Sequence, residues 1–125
     1  MKRIRMPSHR AVRSAIATLL RYGDTGLPHT ARKLGVSRRS LQRHLAGMGT
    51  SYSQLFEEVR VDKACHLLAG SDERICDIAA RLGFADAGSF SRTFMRLMKT
   101  QPRNYRRQQA IDAQFQRRRR KPTGR

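Results

Sequence analysis

A chain of 125 residues holds one compact domain, or two very small ones leaning on each other, because units near sixty residues bury too little surface to be robust alone. Its 27 Lys and Arg stand against 9 Asp and Glu, a formal charge of +18, and that balance points to a polyanionic partner. Six of the basic residues lie in 117–125, and without them the balance is still +12, so most of the charge belongs to the folded part. Cys65 and Cys76 form no C-x-x-C pair, which argues against a disulfide framework or zinc knuckle and fits a reducing cytoplasm. The start, MKRIRMPSHR, lacks the apolar run of a secretory signal, and no stretch is long and apolar enough to span a bilayer.

Helix signals recur in chain order and strand alternation does not, so the fold class is all-α with about seven helices. Ser8 caps a first helix whose apolar face is Val12, Ile16, Leu19 and Leu20 and which closes at Gly23. Pro28 opens a short second helix ended by Gly35, and Ser37 caps a third that carries Leu41 and Leu45 and closes near Gly47. A long helix follows from about Ser51 to Ala69. Tyr52, Leu55, Phe56 and Val59 set one apolar patch on it, and Val61, Ala64, Cys65 and Leu68 set another nine positions later, half a turn out of phase. Such a helix serves two cores. Ile75, Ile78, Ala79 and Leu82 then form a helix ended by Gly83, and Asp86 caps one bearing Phe90, Phe94 and Leu97. Pro102 opens a last helix with Tyr105, Ile111 and Phe115. The expected organisation is a first subdomain at 1–50, a connecting helix at 51–70, a second subdomain at 71–116 and a disordered basic tail at 117–125.

The chain repeats itself. ARKLGVSRRSLQRHL at 31–45 returns as AARLGFADAGSFSRTF at 79–94: Ala31, Leu34 and Gly35 fall on Ala79, Leu82 and Gly83, while Leu41, Arg43 and Leu45 fall on Phe90, Arg92 and Phe94 at an offset one residue larger. The slip lies in the turn. A short helix, a turn with glycine and a second helix make a helix-turn-helix unit, whose second helix enters the DNA major groove. Leu41 and Leu45, or Phe90 and Phe94, hold that helix by one face, leaving Arg39, Gln42 and Arg43, or Ser89 and Arg92, on the other. Arginine can bond guanine at O6 and N7 together, and glutamine adenine at N6 and N7. A connecting helix of about 18 residues is roughly 27 Å long and, with its flanking units, is expected to set the two reading helices about one DNA turn apart.

The most specific stretch, ICDIAARLGFADAGSFSRTFMRLMKTQPRNYR at 75–106, resembles the signature I-x-x-I-A-x-x-x-G-F, F-x-R-x-F and P-x-x-Y-R of the AraC/XylS family of bacterial transcription regulators. The resemblance runs from about Val12 to Arg107 and includes LGVSRRSLQRHL, the Gly49-Thr50 step and the Arg60, Ala64, Leu67, Leu68 series. It implies base contacts from Arg39, Gln42 and Arg43 in the first unit and from position 88, Ser89 and Arg92 in the second, where Gly88 departs by offering no side chain. Arg38, Arg96, Lys99 and Arg106 are the expected backbone-phosphate contacts. Lys99 stands where the family usually has glycine, and Gln101 where a serine often caps the last helix. About ten residues precede the first helix, the layout of stand-alone members; a detached half of an effector-sensing regulator is the alternative. The partners expected are double-stranded DNA and RNA polymerase, for a monomer or weak dimer.

Other classes are disfavoured by what is missing. His9, His29, His44 and His66 show no metal-ligand spacing, and no nucleophile–base pair, carboxylate pair or phosphate-binding glycine loop can be assembled, so no metal, cofactor or enzymatic role is expected. The aromatics Phe56, Phe90, Phe94 and Tyr105 sit at core spacings, against an RNA-stacking platform. Cys65 and Cys76 read as small core residues, and Arg60 as a structural arginine paired with an acid. An architectural binder without regulatory output is the remaining competitor.

Overall fold

The computed structural model describes residues 5–23 and 25–120. These form seven helices and no strand: α1 (His9–Tyr22), α2 (Leu27–Leu34), α3 (Arg38–Gly47), α4 (Tyr52–Gly70), α5 (Ile75–Arg81), α6 (Ala87–Met98) and α7 (Pro102–Arg120). The starts follow from capping. Ser8 Oγ accepts from the Ala11 N–H at 3.1 Å, Ser37 Oγ from Ser40 N–H at 3.1 Å, Ser51 Oγ from Gln54 N–H at 3.2 Å and Asp86 Oδ1 from Ser89 N–H at 2.7 Å. Each satisfies one of the donors that a helix start leaves orphaned.

The chain divides into two compact units between Arg60 and Val61, inside α4, the connecting helix whose two out-of-phase apolar patches are expected to serve two cores. Each half of α4 belongs to one of these units. In the first unit Leu55 and Val59 are buried with Val12, Ile16, Leu20, Ala31, Leu41 and Leu45. A polar knot holds the start of α2: Tyr52 OH accepts from the Gly26 N–H at 3.1 Å and lies 3.0 Å from Thr30 Oγ1, which donates to the Gly26 carbonyl at 3.1 Å. Thr30 is fully buried, and these bonds are why a hydroxyl is tolerated there. Arg13 and Glu58 tie α1 to α4 at 2.7 Å. Arg60 stacks its guanidinium 4.6 Å from the Phe56 ring centre; burial lowers its pKa and the neighbouring Glu57 opposes that shift. That agrees with a structural role.

In the second unit Val61, Ala64 and Leu68 are buried with Ile78, Ala79 and Leu82, and the centre is aromatic. Phe84, Phe90, Phe94 and Tyr105 form a chain of tilted and edge-on contacts with ring centres 5.2, 5.7 and 5.6 Å apart. Such arrangements match the positive edge of one ring to the negative face of the next. Cys65 is half-buried beside Tyr105, and burial raises its thiol pKa.

The repeated phrase folds twice into the same turn. Gly35 (φ 72°) and Gly83 (φ 82°) take the left-handed conformation that a residue with Cβ resists, and the next residue's N–H reaches back to the helix in each: Val36 to Ala31 O and Phe84 to Ala79 O, both at 3.0 Å. After that point the first unit needs one step to its cap, Ser37, and the second needs two, Ala85 and Asp86. That extra residue is the one-position slip.

Three expectations are corrected. Residues 117–120, read as part of a disordered tail, continue α7, because arginine is a good helix former and cations suit the negative end of the helix dipole; 121–125 lie outside the described residues. Ile111 and Phe115, read with the core-facing set of α7, are exposed at 41% and 65%. Cys76, read as a core residue, is exposed on the first turn of α5.

Candidate nucleic-acid interface

In α3, Leu41 and Leu45 are fully buried, and this fixes which way the remaining side chains turn. Arg39, Gln42 and Arg43, spaced i, i+3, i+4, share one exposed face, with Arg38 exposed in the first turn. No acidic residue lies in that turn. The face therefore presents three long hydrogen-bonding side chains above a helix N-terminus, which itself favours anions. His44, on the flank, is held by the Pro7 carbonyl at 2.6 Å.

The corresponding face of α6 is arranged differently. Phe90 and Phe94 are fully buried, and Arg92 and Gly88 are exposed, with Ser89 half-buried. One Nη of Arg92 donates to Ser89 Oγ at 3.3 Å, and a Cβ at position 88 would meet the other Nη at 3.3 Å. The guanidinium thus folds back over the space that glycine leaves. Asp86 lies in the same cluster: the Ser89 backbone N–H, the Ser89 hydroxyl and the Arg92 charge hold its carboxyl below the usual range. Arg92, Arg96, Ser91 and Met95 line, with Gln101, a shallow depression of about 300 Å³, so the start of α7 adjoins this face. Arg92 and Ser89 lie on this face where the sequence expects them, and Asp86, expected as a cap, and Gln101, expected at the start of the last helix, adjoin it as well. Asp86, three residues before Ser89, is legible as a cap, and its place beside Arg92 follows from the Arg92 side chain folding back to Ser89.

Of the backbone-contact candidates, Arg38, Arg96 and Lys99 are exposed. Lys99 takes φ 62°, the left-handed position that ends α6, with its N–H on Met95 O at 2.9 Å. Arg106 is the exception and is turned inward: Nε donates to Leu68 O at 3.0 Å and an Nη to Ser71 O at 3.1 Å. It closes the C-terminus of α4, where carbonyls lack partners, in place of the phosphate contact expected. Among the described residues no group of three His, Cys, Asp or Glu could hold a metal ion, and no helix is long and apolar enough to cross a membrane.

A helix-turn-helix domain family model matches residues 30–108, more than half the chain. A solved transcriptional regulator with an AraC-type DNA-binding domain from Chromobacterium violaceum superposes with a TM-score of 0.70 at 28% identity, over 81% of this chain and 94% of that one. The chain belongs to the AraC-type helix-turn-helix family. It is 39% identical over 89 residues to the ornithine utilization regulator of Pseudomonas aeruginosa, across 70% of this chain and 26% of that protein. It is 40% identical over 87 residues to the HTH-type transcriptional activator RhaS of Citrobacter koseri, across 69% of this chain and 31% of that protein. The chain therefore spans about a quarter to a third of the length of these curated relatives. In the AraC-type fold α2–α3 and α5–α6 are the two helix-turn-helix units, with α3 and α6 their second helices.

Proposed function

We propose that this chain regulates transcription by reading two adjacent major-groove segments of double-stranded DNA, one with α3 and one with α6. The observation that supports it most is the exposed arginine at the same place in each repeat, Arg43 and Arg92, opposite a pair of fully buried side chains. Arg39, Gln42 and Arg43 contact bases from α3, and Ser89 and Arg92 from α6, while Arg38, Arg96 and Lys99 hold phosphates. The protein binds as a monomer or weak dimer in the cytoplasm, contacts RNA polymerase and performs no catalysis of its own. Selection from a random DNA pool followed by footprinting tests this. Two protected segments about one helical turn apart are expected; protection without base preference would reduce the chain to a nonspecific binder.

The greater length of the curated relatives favours a second reading, in which these residues are the DNA-binding module of an effector-sensing regulator. Both readings share the interface. Transcription in vitro with purified RNA polymerase separates them: a regulator with output of its own changes transcript yield from a promoter carrying the selected site, and a module alone, or an architectural binder, occupies the site without changing it.

A further inference from the structure

We propose that the outer part of α7 is a second DNA-binding element of the unit that contains α6, laid along the phosphates next to the segment α6 reads. The proposal rests on the DNA-reading role proposed above for α6 and concerns a stripe from Arg103 to Arg118, whose outer part, from residue 109 on, lies past the stretch matched to the family. On its inner side α7 is held to its unit by Tyr105, edge-on to Phe94, and by Arg106, and every residue from Ala110 to Arg119 is exposed. A helix that leaves its own core for about ten residues has nothing there to bury.

What it does carry is charge in register. Arg103, Arg107, Ile111, Gln114 and Arg118 follow i, i+4, i+8, i+11, i+15, which keeps them within a narrow stripe on the face away from Tyr105 and Gln109. At 1.5 Å per residue the stripe is about 22 Å long, the rise of six or seven base pairs. The helix's acid, Asp112, is bonded to Gln108 at 3.1 Å and lies off the stripe. Phosphate is the partner that three guanidinium groups, Arg103, Arg107 and Arg118, spread along one helix face with no acid among them, fit.

The place where the stripe begins selects which phosphate polymer. Arg103 lines a cleft of about 460 Å³ together with Ser91 and Gln101, and Ser91 and Gln101 also line the depression beside Arg92 and Arg96. The surface is therefore continuous from the α6 face to the stripe, and a duplex seated on α6 continues toward it. Ile111 and Phe115 add apolar area that can lie against sugar edges.

The test is binding of the intact chain, across a salt series, to its selected site with and without about ten flanking base pairs on the side read by Arg92. The variant is Arg107→Gln/Arg118→Gln, which keeps helix-forming side chains; circular dichroism confirms that helix content is retained. On the flanked site the double variant should bind roughly tenfold more weakly at low salt, with the slope of log K against log salt reduced by about 1.8 for two lost phosphate contacts. On the trimmed site the variant and the parent should bind alike. Equal loss on both duplexes, an unchanged salt slope, or a change in sedimentation from dimer to monomer with DNA affinity unchanged would each overturn the proposal. If selection yields no preferred site at all, the reading of α6 fails. If a preferred site is found whose affinity ignores the flank, only the role of α7 fails.

Discussion

The two units write the same phrase in different materials. The first is built on aliphatic residues, Ile16, Leu41, Leu45 and Leu55, and leaves Arg39, Gln42 and Arg43 of α3 exposed on one basic and amide face. The second is built on an aromatic chain from Phe84 to Tyr105 and closes the exposed side of α6 on itself, Arg92 to Ser89 with Asp86 beside them. Phe84 fills the place of Val36 after the turn glycine, and the extra residue that follows moves the cap from a serine to an aspartate. On the reading proposed for α3 and α6, Arg43 would meet a base edge without giving anything up, whereas Arg92 would first have to release its hydrogen bond to Ser89 and an adjacent carboxylate. The first unit is expected to discriminate bases more sharply.

The largest effect comes from separating the cores. Ala64→Asp places a carboxylate at a fully buried position of the aromatic unit and should cost several kcal/mol, about the whole stability of a small domain. Leu55→Asp should do the same to the aliphatic unit. Thermal unfolding with footprinting checks both: the first variant should lose protection at positions read by Arg92, and the second at those read by Arg43. Loss of the opposite half-site in either case would show that the halves of α4 have been assigned to the wrong cores.

Next in size are the readers. Arg43→Ala should weaken binding to the preferred site by about 1–3 kcal/mol and relax base preference at one position, and Arg92→Ala should do so by less, because its guanidinium leaves existing partners on binding. Competition binding against single-base variants of the site measures both. Equal losses would mean that the Ser89 contact costs nothing to break.

The helix ends offer a smaller contrast. Chain reversal after α3 uses Gly49 at φ 78°, and the end of α6 uses Lys99 at φ 62°. Lys99→Gly should raise the melting temperature through a gain of up to about 1 kcal/mol from relief of the left-handed conformation, and at the same time weaken binding to all DNA alike by removing a cation. A fall in stability would show that the lysine side chain makes a contact worth more than the backbone preference.

The smallest effect sharpens the electrostatic argument. Asp86→Asn keeps an N-cap acceptor but removes the charge beside Arg92, so affinity should rise with little change in stability at neutral pH. The sign with pH follows from the depressed carboxyl of Asp86: its contribution to folding is present above the unfolded pKa and is lost as pH falls through the lower, folded value. The parent should therefore lose a small increment of thermal stability in acid that the asparagine variant does not lose.

Much of this was open to inspection in the residues themselves. Ser8, Ser37 and Asp86 cap where their place before an apolar run says they must, Gly35 and Gly83 turn where repetition puts them, and the phase break between Val59 and Val61 divides α4 between two cores, because these are consequences of helix pitch and hydrogen-bond supply within a few residues. The same periodicity places Arg39, Gln42, Arg43 and Arg92 on exposed faces, with Ser89 half-buried beside Arg92. Long-range packing decided the rest. Arg106 looked like any surface arginine until the end of α4 was brought against it, and then two carbonyls 35 and 38 residues away took its guanidinium. Cys76, Ile111 and Phe115 have core chemistry but no neighbour to bury them, and Gln101 joins the α6 face only because the chain folds back after Lys99. Periodicity states which side of a helix is apolar. Whether anything arrives to cover that side depends on where the other helices go, and that is a property of the tertiary structure alone.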